Sequence, residues 1–198
     1  MRVAGLEPVR LSVMEPKSIV SAIPPYPHIV YSIIDGPAFV NRKRVKRRNM
    51  VRFVLSPVGY LKVKEEKERI THIDLCADIS EQNESSDLLL EAEKQLLEYF
   101  AGKRKAFELP LSLSGTDFRK KVWNAIAAIP YGETRSYKQI AETVGNPRAV
   151  RAVGSACNRN PIPIIIPCHR VVGTNTPGGY AYGLSVKNDL LTIERTCK

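Results

Sequence analysis

The chain has 198 residues, 43% hydrophobic and 25% charged, with a formal net charge of +10. No apolar stretch approaches the roughly 20 residues a membrane helix needs, and the N-terminus lacks the charged, apolar and small-residue order of a secretory signal. The four cysteines, at 76, 157, 168 and 197, form no CxxC pair; that disfavours a disulfide framework or a four-cysteine zinc site and suits a reducing cytoplasm, or a nucleus.

Residues 1–49 hold 9 Lys+Arg against 3 Asp+Glu, most of them in Arg42-Lys43-Arg44-Val45-Lys46-Arg47-Arg48. Prolines cluster at Pro24, Pro25 and Pro27 and no amphipathic period is evident. The segment reads as a poorly ordered basic extension. A solvated tail is the simpler account of the run and a DNA-binding arm the sharper one. Met50 directly precedes regular structure and would serve as an alternative translation start.

Val51–Leu55, Tyr60–Glu65 and Ile70–Cys76 predict three short strands, separated by Pro57-Val58-Gly59 and a charged turn at Glu66–Glu68. His72 and Cys76 are four apart, but the pair leaves metal coordination unfilled, so no metal site is expected. Ser86 predicts the cap of a helix reaching Phe100, with Leu89, Ala92, Leu96 and Phe100 on one face and Gly102 as its stop. Residues 50–110 thus read as a small antiparallel sheet with one packed helix, a scaffold without visible chemistry.

An extended link, Phe107–Leu113, leads to a helical half spanning 111–198. Thr116 predicts an N-cap, and Phe118, Val122, Ile126 and Ile129 a buried stripe ended by Pro130-Tyr131-Gly132. Ser136 and Gln139 form a capping-box pattern for a helix to Val144. Gly145 suits the left-handed C′ position, Asn146 the next cap and Pro147 the first position of a helix to about Asn158. Two short helices around a tight glycine turn are a helix-turn-helix signal. The second is small-sided, with Arg148 and Arg151 as its large charges. That suits either tight core packing or close approach to DNA.

Pro167-Cys168-His169-Arg170 ends the apolar run Ile162-Pro163-Ile164-Ile165-Ile166. It delivers a thiol and an imidazole together, the first two parts of an activated nucleophile. On an extended backbone the two side chains point to opposite sides, so direct contact is not required by adjacency. Glu194 lies in a helix predicted to begin near Ser185. Asn160, before Pro161, marks a turn.

Residues 115–194 resemble the catalytic domain of the methylated-DNA–protein-cysteine methyltransferases, the O6-alkylguanine-DNA alkyltransferase family. The matching stretches are Gly-Thr-Asp-Phe (115–118), Val-Trp (122–123), Ile-Pro-Tyr-Gly-Glu-Thr (129–134), Ser-Tyr (136–137), Arg-Ala-Val-Gly (151–154), Asn-Arg-Asn-Pro (158–161), Ile-Pro-Cys-His-Arg-Val-Val (166–172), Gly-Gly-Tyr (178–180) and Gly-Leu-x-x-Lys (183–187). Residues 50–110 resemble the family's variable N-terminal domain in layout. The expected fold is α/β (α+β): a small antiparallel sheet with a packed helix, then a mostly helical, winged-helix-like catalytic domain containing the helix-turn-helix.

The resemblance implies that Cys168 accepts the alkyl group from O6 of guanine in double-stranded DNA. It makes His169 the base, linked to the thiol by a water, and Glu194 the carboxylate that orients it. Asn160 would brace the turn that positions Cys168. A base within a duplex must be flipped out to reach a thiol. Arg151 would fill the vacated stack, with Arg148, Ala149, Ala152 and Gly154 on the same DNA-facing helix. Tyr137 would contact the flipped base, and Val171, Tyr180 and Ala181 would line its pocket. Two departures bear on pocket size: the loop from Val172 to Tyr180 is about a residue shorter than in many relatives, and Ala181 stands where some have serine.

A thioether is stable, so one turnover per molecule is expected, with no cofactor and a monomer as the working form. Three other readings explain less. A non-reactive lesion binder lacks the cysteine, a transcription regulator leaves the Cys–His segment idle, and a cysteine hydrolase does not explain the DNA-reading helix. A combined regulator-repair protein would need a cysteine zinc site, and residues 1–49 contain no cysteine.

Overall fold

The computed structural model describes residues 50–79 and 81–197; the expectations made for residues 1–49 fall outside the described residues. Strands β1 (Met50–Ser56), β2 (Gly59–Glu66) and β3 (Arg69–Cys76) form an antiparallel meander in the order β1-β2-β3. Along β2, Leu61, Val63 and Glu65 are buried while Lys62 and Lys64 are only partly covered, the period-two pattern of a sheet with one packed face. The second hairpin turns at Lys67 and Glu68, both with positive φ (52° and 61°), the backbone hand that suits a two-residue loop.

Helix α1 (Asp87–Phe100) covers the inner face. Ser86 Oγ accepts from the Leu89 amide at 3.0 Å, as its sequence position predicts. Leu89, Ala92, Leu96 and Tyr99 meet Val54, Leu61, Val63, Ile70 and Ile73 in the core. Residues 110–112 then run beside β3: the Ile70 amide donates to Pro110 and the Ser112 amide to Ile70, each at 2.9 Å.

The helical half comprises α2 (Asp117–Ala127), β4 (Arg135–Ser136), α3 (Tyr137–Thr143), α4 (Val150–Asn158), β5 (Val171–Val172) and α5 (Leu184–Thr196). The β4 and β5 pair is parallel. The expected stripe on α2 differs in one member. Phe118 is only half-buried, whereas Trp123 is 1% exposed and donates its indole N–H to the Ala156 carbonyl at 2.9 Å. That bond fixes α2 against α4.

The Ser136 capping box is present in both directions, and Gly145 takes the left-handed C′ conformation at φ 76°. The second helix starts later than the sequence suggests. Asn146 is not its cap and Pro147 not its first residue; α4 begins at Val150, with Ala149 at the cap and no side-chain cap bond. The Ala149 amide donates instead to the Asn146 carbonyl at 3.0 Å. Pro147 and Arg148 are thus the central residues of a turn, where the fixed φ of proline fits as well as it does in a first helical turn.

Candidate active site and nucleic-acid interface

The segment that carries the thiol is set by its neighbours. Ile162, Ile164 and Ile166 are buried, and Ile164 holds φ at 73°, which a β-branched residue adopts only when its surroundings force it. Asn160 organises this bend. Its Oδ1 accepts from the Ile162 amide at 3.1 Å, and its Nδ2 donates to the Ile166 carbonyl at 2.7 Å and to Cys168 Sγ at 3.2 Å. The Ile73 amide of β3 donates to the Pro161 carbonyl at 2.9 Å, tying the bend to the sheet.

Cys168 to Arg170 form one turn of 3-10 helix rather than an extended strand, closed by the Arg170 amide on the Pro167 carbonyl at 2.9 Å. The extended geometry expected for Cys168 and His169 is therefore replaced by a tight turn: Pro167 brings no amide to a strand ladder, and its carbonyl accepts the turn bond instead. Among the described residues no hydrogen bond joins the two side chains directly. Cys168 is 6% exposed and His169 fully buried.

His169 Nε2 lies 2.7 Å from Glu194 Oε1. An ionised carboxylate only accepts, so Nε2 carries the proton and Nδ1 of the neutral ring carries the lone pair. Nδ1 is buried and has no partner among the described residues. Burial pushes the imidazole below its ordinary range, against the bond and charge of Glu194. Burial also pushes the Cys168 thiol up, against the Asn160 amide. Both shifts favour the uncharged forms, a thiol and a neutral imidazole on adjacent residues.

Glu194 has more partners than the sequence indicated. Arg170 grips it from the same turn as His169, with Nε at 2.9 Å from Oε2 and Nη2 at 2.9 Å from Oε1, while its Nη1 donates to the Ile129 carbonyl at 2.6 Å. The Gly132 amide donates to Oε2 at 3.1 Å. Tyr99 of α1 donates its hydroxyl to Oε1 at 2.7 Å. Burial alone would raise the Glu194 carboxyl, but His169 and Arg170 outweigh it and hold the group down to about 2. The half of the chain read as scaffold alone thus reaches the site through Tyr99.

Lys187 is a second site residue that periodicity does not single out. It is 0% exposed, and its Nζ donates to the carbonyls of Val171 and Pro177 at 2.6 Å and of Gly179 at 3.2 Å. It therefore ties the segment after Cys168 to the loop at 173–183. Both Arg170 and Lys187 stand inside stretches that carry the family resemblance, which was the available signal.

The loop closes over Tyr137, the first residue of α3. Gly178 has φ 70°, and a Cβ there would sit 2.8 Å from the Tyr137 ring, so only glycine lets the loop lie on the phenol. The Tyr137 hydroxyl faces the Gly179 carbonyl at 3.4 Å, and burial raises its pKa. Gly154 of α4 borders the other side, its Cβ position 3.9 Å from the ring. Tyr180 sets its ring edge-on to His169 with centroids 6.5 Å apart. Val171 is buried beside them, and Ala181 is exposed at the following turn.

Along α4, Val153 and Ala156 face the core, whereas Arg151 and Ala152 are exposed. Arg148 is exposed in the preceding turn and Ala149 half-buried at the cap. Among the described residues neither Arg148 nor Arg151 has an ion-pair partner. The site residues thus form two hydrogen-bonded pairs, Asn160 with Cys168 and His169 with Glu194, which meet along the backbone at Cys168-His169, while Arg148, Arg151 and Ala152 are exposed around the start of α4. Among the described residues no helix is long and apolar enough to cross a membrane.

Residues 117–196 match the family model described as 6-O-methylguanine DNA methyltransferase, DNA binding domain, and residues 50–113 match that of its ribonuclease-like domain. The methylated-DNA–protein-cysteine methyltransferase of Methanosarcina acetivorans is 45% identical over 149 residues, covering 72% of this chain and 96% of the relative. The constitutive enzyme of that name from Bacillus subtilis is 48% identical over 151 residues, covering 71% and 92%. Among solved structures, Mycobacterium tuberculosis OGT in complex with DNA matches with a TM-score of 0.69 at 40% identity, over 75% of this chain and 94% of that one. A buried thiol beside a hydrogen-bonded imidazole and carboxylate, and a helix pair with exposed arginines, thus stand within a sequence matched along nearly the whole length of these relatives: the chain belongs to the methylated-DNA–protein-cysteine methyltransferase family.

Proposed function

We propose that the protein repairs duplex DNA by moving the alkyl group of O6-alkylguanine to Cys168, once per molecule. The observation that carries this reading is the buried Cys168 thiol, held by Asn160 and set beside a His169–Glu194 pair directly behind the helix-turn-helix. In the reaction the Cys168 thiol proton passes through a bridging water to His169 Nδ1. The sulfur forms a bond to the alkyl carbon as the carbon–O6 bond breaks, and the electron pair stays with guanine. The Tyr137 hydroxyl donates toward guanine N3 as charge builds there. The guanine anion takes up a proton through Tyr137 and solvent as His169 gives back the one it received, so atoms and charge balance without a cofactor.

DNA recognition divides in the same manner. Arg148 and the small residues Ala149, Ala152 and Gly154 let α4 approach the duplex, and Arg151 occupies the stack left by the flipped nucleotide. Val171, Tyr180 and Ala181 border the base pocket. Residues 50–110 support the residues 111–198 that carry DNA contact and chemistry. One lesion needs one copy, so the working form is a monomer, in a reducing cytoplasm or nucleus that keeps the thiol free.

The test is to incubate the protein with a duplex carrying O6-methylguanine and digest it for mass analysis. A stoichiometric methyl adduct on the Cys168 peptide, absent in Cys168→Ala, is the expected result. Repeated turnover, or repaired DNA without an adduct, overturns the reading.

A further inference from the structure

We infer that Tyr99 is a positioning residue for alkyl transfer, supplied by the sheet-and-helix half of the chain, because its hydroxyl shares Glu194 Oε1 with His169 and so sets how firmly that carboxylate holds the imidazole. The inference rests on the reading of His169 as the base for Cys168.

Tyr99 is 0% exposed on the last turn of α1, with its ring against Phe100, Phe107 and Tyr131 at centroid distances of 5.2, 5.5 and 5.9 Å. Packing of that kind asks only for an aromatic ring. The hydroxyl is an added polar group in an apolar wall, stabilising only where it has an acceptor. Its acceptor is a carboxylate 95 residues away in the chain. Of the groups on Oε1, Arg170 carries a permanent charge and His169 is the group whose basicity matters. Tyr99 adds a neutral donor that draws charge from this oxygen and restrains its rotation.

Every group that titrates or carries charge near the pair enters the balance. Around His169 these are Glu194 and Lys187 of α5, Arg170 and Cys168 of its own turn, and Tyr180 of the loop. Around Tyr99 they are Glu194, Arg170 and Tyr131, with Lys105 over the Tyr131 ring. Burial and Glu194 both push the Tyr99 phenol upward, so it remains a donor throughout the working pH range. If its hydrogen bond is removed, Oε1 keeps more charge for His169 and the imidazolium forms more readily. The base is then protonated, and idle, up to a higher pH.

The experiment measures single-turnover transfer from an O6-methylguanine duplex against pH for the full chain and for Tyr99→Phe, together with an NMR titration of His169 in both. In the unaltered protein the acid limb lies below 6.5, the ordinary imidazole value. In Tyr99→Phe both the limb and the His169 titration move upward by about 0.5 unit or more, so the rate on the acid side falls about 3-fold more than above it. A chain with 3-fluorotyrosine at position 99, a stronger donor of nearly the same shape, moves both the other way and serves if Tyr99→Phe does not fold. Equal rate loss at every pH with an unmoved His169 titration overturns the inference and leaves Tyr99 a packing residue. Absence of a Cys168 adduct in the unaltered protein overturns the transfer reading instead; the His169 titration then still decides whether Tyr99 acts on the pair.

Discussion

Asn160 Nδ2 donates to Cys168 Sγ at 3.2 Å while the same amide bonds two backbone groups of the intervening bend. The placement of the Cys168 thiol and the fold of its segment therefore depend on one side chain. Asn160→Ala should lower the single-turnover rate at least about 100-fold, the scale of an ångström-level misplacement of a reacting group. It should also destabilise the protein by about 1–3 kcal/mol, because the Ile162 amide loses its partner and the Ile166 carbonyl keeps only the Cys168 amide. Stopped-time adduct analysis and thermal melting check the two effects separately.

The Glu194 carboxyl, held down to about 2, links stability to acid. Its folded-state value lies below its unfolded one. Its contribution is therefore fully present above the ordinary carboxylate value of 4.5 and is lost as pH falls toward about 2. Glu194→Gln should be less stable at pH 7 by about 3–5 kcal/mol, since Arg170 is left as a buried charge without its counter-ion. Its denaturation midpoint should also vary less than the unaltered protein's between pH 4.5 and the acid limit. Denaturant titrations across that range measure both.

Lys187 is the link between the active-site segment and the loop over Tyr137. Lys187→Met removes the shared donor from the carbonyls of Val171, Pro177 and Gly179. The buried Val171 carbonyl is left unpaired, while Gly179 keeps the Tyr137 hydroxyl, so a loss of about 1–3 kcal/mol is expected, or roughly 2–12 °C in melting temperature for a chain of this size. Hydrogen exchange should show the loop at 173–183 opening before the helices do. Equal protection in the two proteins would contradict the tie.

Arg151 is exposed and lies in the second position of α4, so its removal should leave folding nearly untouched. Arg151→Ala should lower the rate on a duplex lesion at least about 10-fold more than the rate on free O6-alkylguanine, which needs no unstacking. Parallel single-turnover assays on the two substrates provide the comparison.

Local structure is legible in the sequence where a side chain acts on its own neighbourhood. Ser86, Thr116 and Ser136 each cap the helix that follows them, and alternation along β2 marks its inner face. The sequence misled where one pattern serves two geometries. Asn146-Pro147 suits a helix start and a turn equally, and only the Asn146–Ala149 bond distinguishes them. Pro167 similarly led to a 3-10 turn where an extended strand was expected. The least legible residues were Arg170, Lys187 and Tyr99. Two are cations, for which water is the ordinary environment, and the third reads as one more aromatic on an amphipathic helix. The carboxylate that Arg170 and Tyr99 share lies 24 and 95 residues from them, and Lys187 binds backbone carbonyls, which no side-chain spacing marks.

The bonds along the two outer strands also bear on how the protein behaves in a crowd. Strand β3 is flanked by residues 110–112 and by Pro161, and β1 by Asn83 and Glu84, which bond the amides of Phe53 and Val51 and, from Glu84, the Val51 carbonyl. A three-stranded sheet has two edges, and each is interrupted here by other parts of the same chain. Neither offers a long free ladder on which a second copy could add a strand. The covered edges therefore let the protein reach high concentration without templating its own aggregation.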